Sequence, residues 1–155
     1  IRQKREGILE LINTLRGTKI CIDTAPFIYF IEKHEKYLPL LKPLFTEISS
    51  GNIESITSTV TLLEVLVHPL RTGNKSLAEK YREVLLYSDG LTTFEVLNEI
   101  SEKAAELRAK YSIKTPDAIQ IATAIFHKAD RFLTNDPDLK KVTAIQILVL
   151  DDLLR

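Results

Sequence analysis

Along this chain the apolar positions switch repeatedly between a helical and a strand spacing. In residues 2–16, Ile8, Leu9, Leu11, Ile12 and Leu15 fall on one broad face at the spacing of an amphipathic helix, and Gly17 is placed to end it. "KICI" at 19–22 is instead a short apolar run of strand length. Pro26 opens another helical pattern over Phe27–Lys33, and a further helix is expected around 38–50, ending at Gly51-Asn52. "IESITS" at 53–58 alternates as a strand, with Ser58 or Thr59 placed to cap the helix "VTLLEVLVHPL", which is expected to stop near Pro69. "RTGN" reads as a loop, 75–87 as a helix and Asp89-Gly90 as a turn.

"LTTFEV" at 91–96 is a third strand and 98–110 a helix rich in Ala, Glu and Lys. Thr115 is expected to cap a helix with Pro116 at its first position, running to about Lys128. "RFLTN" and "AIQILVL" supply a fourth and a fifth strand. Alternating strands and helices predict an α/β fold whose mainly parallel sheet is covered on both faces. No repeat, low-complexity tract or linker interrupts the pattern, so one domain is expected over 1–155, with a helical extension at 1–17 and the core at 18–152.

Composition narrows the class. With 45% hydrophobic and 27% charged residues, the chain resembles an ordinary globular protein with one sizeable core. Lys+Arg and Asp+Glu are equal at 21 each, which weighs against coating nucleic acid by bulk attraction yet suits a small basic rim around an acidic centre. Cys21 is the single cysteine and has no intrachain partner, as expected in a reducing compartment. The N-terminus is charged and amphipathic, and no apolar run approaches the roughly 20 residues that cross a bilayer. A cytoplasmic protein without membrane attachment is expected. The chain lacks Met, so Ile1 is not expected to be its translational start.

Four carboxylates occupy unusual places. Asp23 and Asp136 follow the first and fourth strands, at the sheet edge where open parallel sheets bind ligands. Glu64 lies inside an apolar helix that leaves little room for an exposed side, and Asp117 opens "PDAIQIATA". Each has a plainer explanation. Asp117 complements a helix dipole, Asp136 makes a turn before Pro137, and Asp23 caps the helix beginning near Pro26. Glu64 has none so simple, because an unpaired buried carboxylate is expensive. Taken together, four acids at one sheet edge repel unless some are protonated or a cation sits among them. Oxygen-only donors select Mg²⁺ or Mn²⁺ over zinc. Such a site hydrolyses phosphodiesters by activating water and stabilising the pentacoordinate charge.

At these residues the sequence resembles the PIN-domain family, and within it the toxin ribonucleases of VapC type. "CIDTAPFIYFIE", "SITSTVTLLEVLVHPLR", "TPDAIQIATAI" and "ADRFLTNDPDL" carry the resemblance in the family's order, across roughly residues 19–150. The resemblance implies a PIN-like α/β/α sandwich around a mainly parallel sheet of about five strands. It also implies a Mg²⁺- or Mn²⁺-dependent endonuclease, with one or two ions, acting on single-stranded RNA. Asp23 and Asp117 would be the most dependable ligands, Glu64 would bind metal or position water, and Asp136 would complete the quartet. Thr24 and Thr134 match the family's central hydroxyl positions, whereas Ala25 stands where the family often has Ser or Asn. By the same resemblance the partners are an antitoxin protein and a second copy in a homodimer.

Arg71 and Lys75, with Lys80 and Arg82, are candidates for RNA-backbone contact or, equally, a solvated helix face paired with Glu79 and Glu83. His34, His68 and His127 lack metal-ligand spacing, and Tyr29, Phe30 and Tyr37 are expected in the core or a dimer face. Asp138, Asp151 and Asp152 read as turn and terminal charges. Two alternatives stand beside the toxin: a housekeeping RNA-processing nuclease, and a catalytically silent PIN-like module that binds RNA or protein. The second alternative gives no reason for four mutually repelling acids.

Overall fold

The computed structural model describes residues 1–155. Five strands, β1 (Lys19–Ile22), β2 (Glu54–Ser58), β3 (Leu91–Phe94), β4 (Arg131–Thr134) and β5 (Gln146–Val149), form one sheet in the order β3-β2-β1-β4-β5. Every pairing is parallel, with Cys21 opposite Ile56 on one side and Phe132 on the other. The helices are α1 (Arg2–Leu15), α2 (Thr24–Ile31), α3 (Leu38–Ser49), α4 (Thr59–Thr72), α5 (Lys75–Tyr87), α6 (Asn98–Tyr111), α7 (Thr115–Phe126) and α8 (Leu150–Leu153). A short 3-10 turn at Pro137–Lys141 follows β4.

The period-two side-chain alternation of a strand divides the core. Ile20, Ile22 and Leu133 join a cluster with α1, α2, α3 and α5. Cys21, Ile56 and Phe132 face the other way and pack with α6 and α7. The expected α/β sandwich with helices on both faces of a parallel sheet is thus the observed one, and α1 buries Ile8, Ile12 and Leu15 in the first cluster.

Several boundaries differ from the sequence expectation. The helix expected from Pro26 begins at Thr24, because Asp23 caps it by accepting from the Thr24 N–H. α4 continues through Pro69, whose ring is buried, and ends only where Gly73 turns left-handed at φ 72°. Proline forfeits one helical N–H, yet its burial in the packed face offsets that loss. The "RTGN" loop therefore shrinks to Gly73-Asn74, and Asn74 caps α5 by accepting from Leu77 N–H at 3.1 Å. α7 is preceded by extended Lys114 rather than capped by Thr115, and it stops at Phe126 instead of Lys128. β3 and β5 are shorter than expected, and the chain passes from β5 directly into α8.

Because all five strands run the same way, their C-terminal ends share one edge of the sheet. Asp23 follows β1, Ser58 ends β2, and Thr134 ends β4.

One glycine guards the opposite edge. Gly90 has φ 80°, and a Cβ there would collide with the Ile48 carbonyl, whereas Gly51 at φ 81° faces open space. Gly90→Ala is expected to lose about 2 kcal/mol or more in urea denaturation, and Gly51→Ala about 1 kcal/mol. Equal losses would show that the Ile48 contact does not matter.

Candidate metal centre

Asp23 is nine-tenths buried at the end of β1 and accepts two hydrogen bonds that fix its carboxylate. The Thr24 N–H donates to Oδ1 at 2.8 Å, and the Thr134 hydroxyl donates to Oδ2 at 2.8 Å. Thr134 also accepts from the Asp136 N–H at 3.1 Å, so one hydroxyl ties Asp23 to the backbone that carries Asp136. The Asp136 carboxylate accepts from the Asp138 N–H at 3.0 Å, and it is exposed. Asp23 caps α2 as expected, and Glu64 and Asp136 are among its charged neighbours. Its anchoring is shared with Thr134 from the far side of the chain.

Glu64 arrives from α4, where its Oε1 accepts from the Thr24 hydroxyl at 2.6 Å. Contrary to expectation, α4 does have an exposed side. Glu64 lies on it with Leu63, which is 65% exposed, and Leu70, which is 59% exposed. Only part of the apolar sequence of α4 is spent on the core.

Asp117 stands in the first turn of α7, and its charged neighbours are Asp23, Asp136, Glu64 and Lys114. Burial above all, then the three carboxylates, raises its pKa from 3.8 to about 6, against a smaller opposing pull from Lys114. Burial also pushes Asp23 up, opposed by its hydrogen bonds from Thr134 and Thr24 and reinforced by Glu64 and Asp136. All four acids singled out in the sequence are therefore electrostatic neighbours. Arg71 and Lys75 are not brought to this centre. Both are exposed, Arg71 in the last turn of α4 and Lys75 at the start of α5. Arg82 pairs with Glu79 at 3.3 Å, as a solvated helix face does.

Beneath the acids lies a polar network that sequence reading missed. Fully buried Gln120 donates its amide to the Thr61 hydroxyl and accepts from the Ser58 hydroxyl at 2.7 Å. Thr57 reaches the carbonyl of Ile22, the residue before Asp23, at 2.8 Å, and the Thr61 hydroxyl at 2.9 Å. Thr61 lies 3.3 Å from Thr24, which closes the path to Glu64. The available signal was spacing: Gln120 is one turn after Asp117, and Thr61 one turn before Glu64. Also missed were Asn135, Tyr37 and Asp151, which are hydrogen-bonded together beside Thr134. Asp151 is thus more than a terminal charge.

The donor set consists of carboxylate and hydroxyl oxygens. No three His, Cys, Asp or Glu side chains gather closely enough to cage an ion by themselves. By donor type alone, oxygen ligands suit Mg²⁺, which keeps several waters and takes one or two carboxylates, rather than zinc. A cavity of about 500 Å³ lies elsewhere. Ser50, Ser88 and Leu91 line it at the opposite edge of the sheet, with Lys33, Lys42 and Lys80 around an apolar floor.

Comparison with known proteins bears on this arrangement. The family model described as PIN domain matches residues 20–145. A VapBC2 structure from Rickettsia felis, bound to a DNA fragment from its promoter, matches with TM-score 0.68 and 18% identity, covering 84% of this chain and 98% of that one. A toxin–antitoxin complex from Klebsiella pneumoniae matches with TM-score 0.64 and 20% identity, covering 84% and 97%. VapC20 of Mycobacterium tuberculosis, a sarcin-ricin loop cleaving toxin, matches with TM-score 0.60 and 17% identity, covering 73% and 86%. At these identities the likeness is one of fold. No curated protein matches the sequence.

The raised Asp117 pKa makes a stability prediction. Between pH 3.8 and about 6 the folded chain retains a proton that the unfolded chain has released, so stability falls as pH rises through that window. Asp117→Asn is expected to be more stable than the native chain at pH 7.5 by on the order of 1 kcal/mol after solvent screening. In thermal melts that advantage should vanish below about pH 4, the ordinary carboxylate range. A destabilised Asp117→Asn at pH 7.5 would mean that neither burial nor the neighbouring acids penalise the Asp117 charge.

Proposed function

The chain belongs to the PIN-domain family, and from that premise we propose that it is a Mg²⁺- or Mn²⁺-dependent endoribonuclease acting on single-stranded RNA, the toxin of a type II toxin–antitoxin pair. The observation that carries this reading is the set of four acids, from four separate segments, whose mutual repulsion has only Lys114 to oppose it at Asp117. A divalent cation bound there supplies the positive charge that stabilises a phosphodiester's transition state.

The chain's own residues have distinct parts in this reading. Asp23, held at both oxygens, is a ligand whose direction is preset, and Asp117 is the second. Glu64, steadied by Thr24 at the exposed rim, orients the attacking water or adds a ligand. Asp136 completes the acidic set from the loop after β4. Thr24 and Thr134 aim the carboxylates. Arg71 lies on the stripe of Glu64 two helical turns on, about 10 Å along the axis, where it can meet an RNA phosphate, and Lys75 follows it.

Partners follow from other surfaces. The exposed apolar residues Leu63, Val67 and Leu70 of α4 favour a homodimer. The lysine-rimmed cavity, remote from the carboxylates, suits an antitoxin segment with apolar and acidic side chains, and the toxin–antitoxin assemblies among the structural neighbours support that partner. A housekeeping RNA-processing nuclease is the second reading. It is favoured by α1, which precedes the matched residues 20–145 and is built into the core. No helix is long and apolar enough to cross a membrane; a cytoplasmic setting is part of the toxin reading.

Cleavage of labelled single-stranded RNA with Mg²⁺ or Mn²⁺ tests the proposal. Asp23→Asn and Asp117→Asn should each lower the rate about 100-fold or more while the protein stays folded. A native chain inert on varied RNAs, in either metal, would instead leave a silent binding module.

A further inference from the structure

We propose that Asn135 is a positioning residue for the carboxylate centre, mooring the loop that carries Asp136 to α2, to the α2–α3 connection and to α8. This rests on the nuclease reading above. Asn135 lies between Thr134, which orients Asp23, and Asp136 itself. Its side-chain oxygen accepts from the Asp151 N–H at 3.1 Å. Its amide donates to the Tyr37 hydroxyl at 2.9 Å and to the Tyr29 hydroxyl at 3.4 Å. The Tyr37 hydroxyl donates in turn to Asp151 Oδ1 at 2.7 Å, and Lys36 Nζ reaches the same oxygen at 3.0 Å. The result is a closed ring through three segments distant in sequence.

The chemistry of the ring is unusual for a turn residue. An Asn before Asp-Pro ordinarily turns its amide onto its own backbone. Asn135 spends both its acceptor and its donors on other segments, while the turn's local hydrogen bond is made by Asp136 to the Asp138 N–H. The contacts of Asp136 are therefore local to its loop, with Thr134 and Asp138. Its place relative to Glu64 and Asp117 depends on how that loop is moored.

Two of the loop's ties lead to α2 and its cap. Thr134 reaches Asp23 at the N-terminal cap of α2, and Asn135 reaches Tyr29 six residues further along. One tie would leave the loop free to pivot; two fix its angle to the helix. Tyr29 and Tyr37 are stacked with centroids 4.3 Å apart and planes within 17°, and Tyr37 is 6% exposed. The anchor is thus a stiff aromatic pair rather than a mobile surface group. A hydrogen-bonded residue behind a ligand commonly shifts metal affinity or activity by about 10–100-fold when removed.

The test measures Mn²⁺ affinity by calorimetry, and kcat and KM for Mn²⁺-dependent RNA cleavage, on the full chain. Asn135→Ala should weaken Mn²⁺ binding and lower kcat about tenfold, with KM for RNA within about twofold. Tyr37→Phe keeps the ring stack but removes the central hydroxyl, and should do the same. Asp151→Ala removes the acceptor of the Tyr37 hydroxyl and should weaken Mn²⁺ binding, whereas Asp151→Asn keeps an acceptor there and should retain most of the native affinity. A folded Asn135→Ala with native Mn²⁺ affinity and kcat overturns the proposal, and if that variant does not fold, Tyr37→Phe decides in the same way. Asp23→Asn separates the two levels of failure. If it abolishes Mn²⁺ binding while Asn135→Ala leaves it unchanged, only the positioning role falls. If neither alters it, the metal reading falls and the positioning role with it.

Discussion

Like-charge repulsion at the C-terminal edge of the sheet is the constraint on which the rest of this site depends. Carboxylates brought together in partly buried surroundings favour protonation or a cation, and Asp117, pushed up to about 6 by burial first and by its three acidic neighbours second, registers both effects. Nothing in core packing calls for that arrangement. The hydrophobic clusters on the two faces of the sheet close without any of the four acids. The fold therefore carries the crowding as a local instability beside a well-formed core. Functional sites commonly oppose the stability of the fold that holds them.

The crowding is held in place by neutral hydroxyls and amides rather than by opposing charge. Thr134 and Thr24 each bridge two acidic segments, while Gln120, Thr61, Thr57 and Ser58 form a buried layer tying α7, α4 and β2 to the chain just before Asp23. Neutral donors orient a carboxylate without cancelling its charge, so the acids keep their appetite for a cation. The choice of side chains preserves both the geometry and the unsatisfied negative potential.

Much of the fold was legible because strand and helix periods alternate cleanly and each strand run was short. Asp23, Glu64, Asp117 and Asp136 stood out as a set: Glu64 alone lacked a plain cap, turn or dipole explanation, and the ordered four at strand ends and in helices drew the others in. Boundaries failed where tertiary packing overrode local rules, as at Pro69, which is buried within a helix that runs on to Gly73. Glu64 was read against a helix with little exposed room, yet α4 leaves Leu63 and Leu70 in solvent. The supporting residues were invisible for a different reason. Gln120 in "AIQIATA", Asn135 in "TNDPD" and Asp151 near the C-terminus are unremarkable in isolation, and their meaning lies in partners 15 or more positions away.

The most direct test of the central claim is to locate the ion itself. Crystals grown or soaked with Mn²⁺ and measured for anomalous scattering should show a peak at the β1, β4 and α7 ends, ligated by Asp23 and Asp117 with waters completing the shell. An empty centre at saturating Mn²⁺, or an ion bound only on the opposite edge of the sheet, would contradict the account.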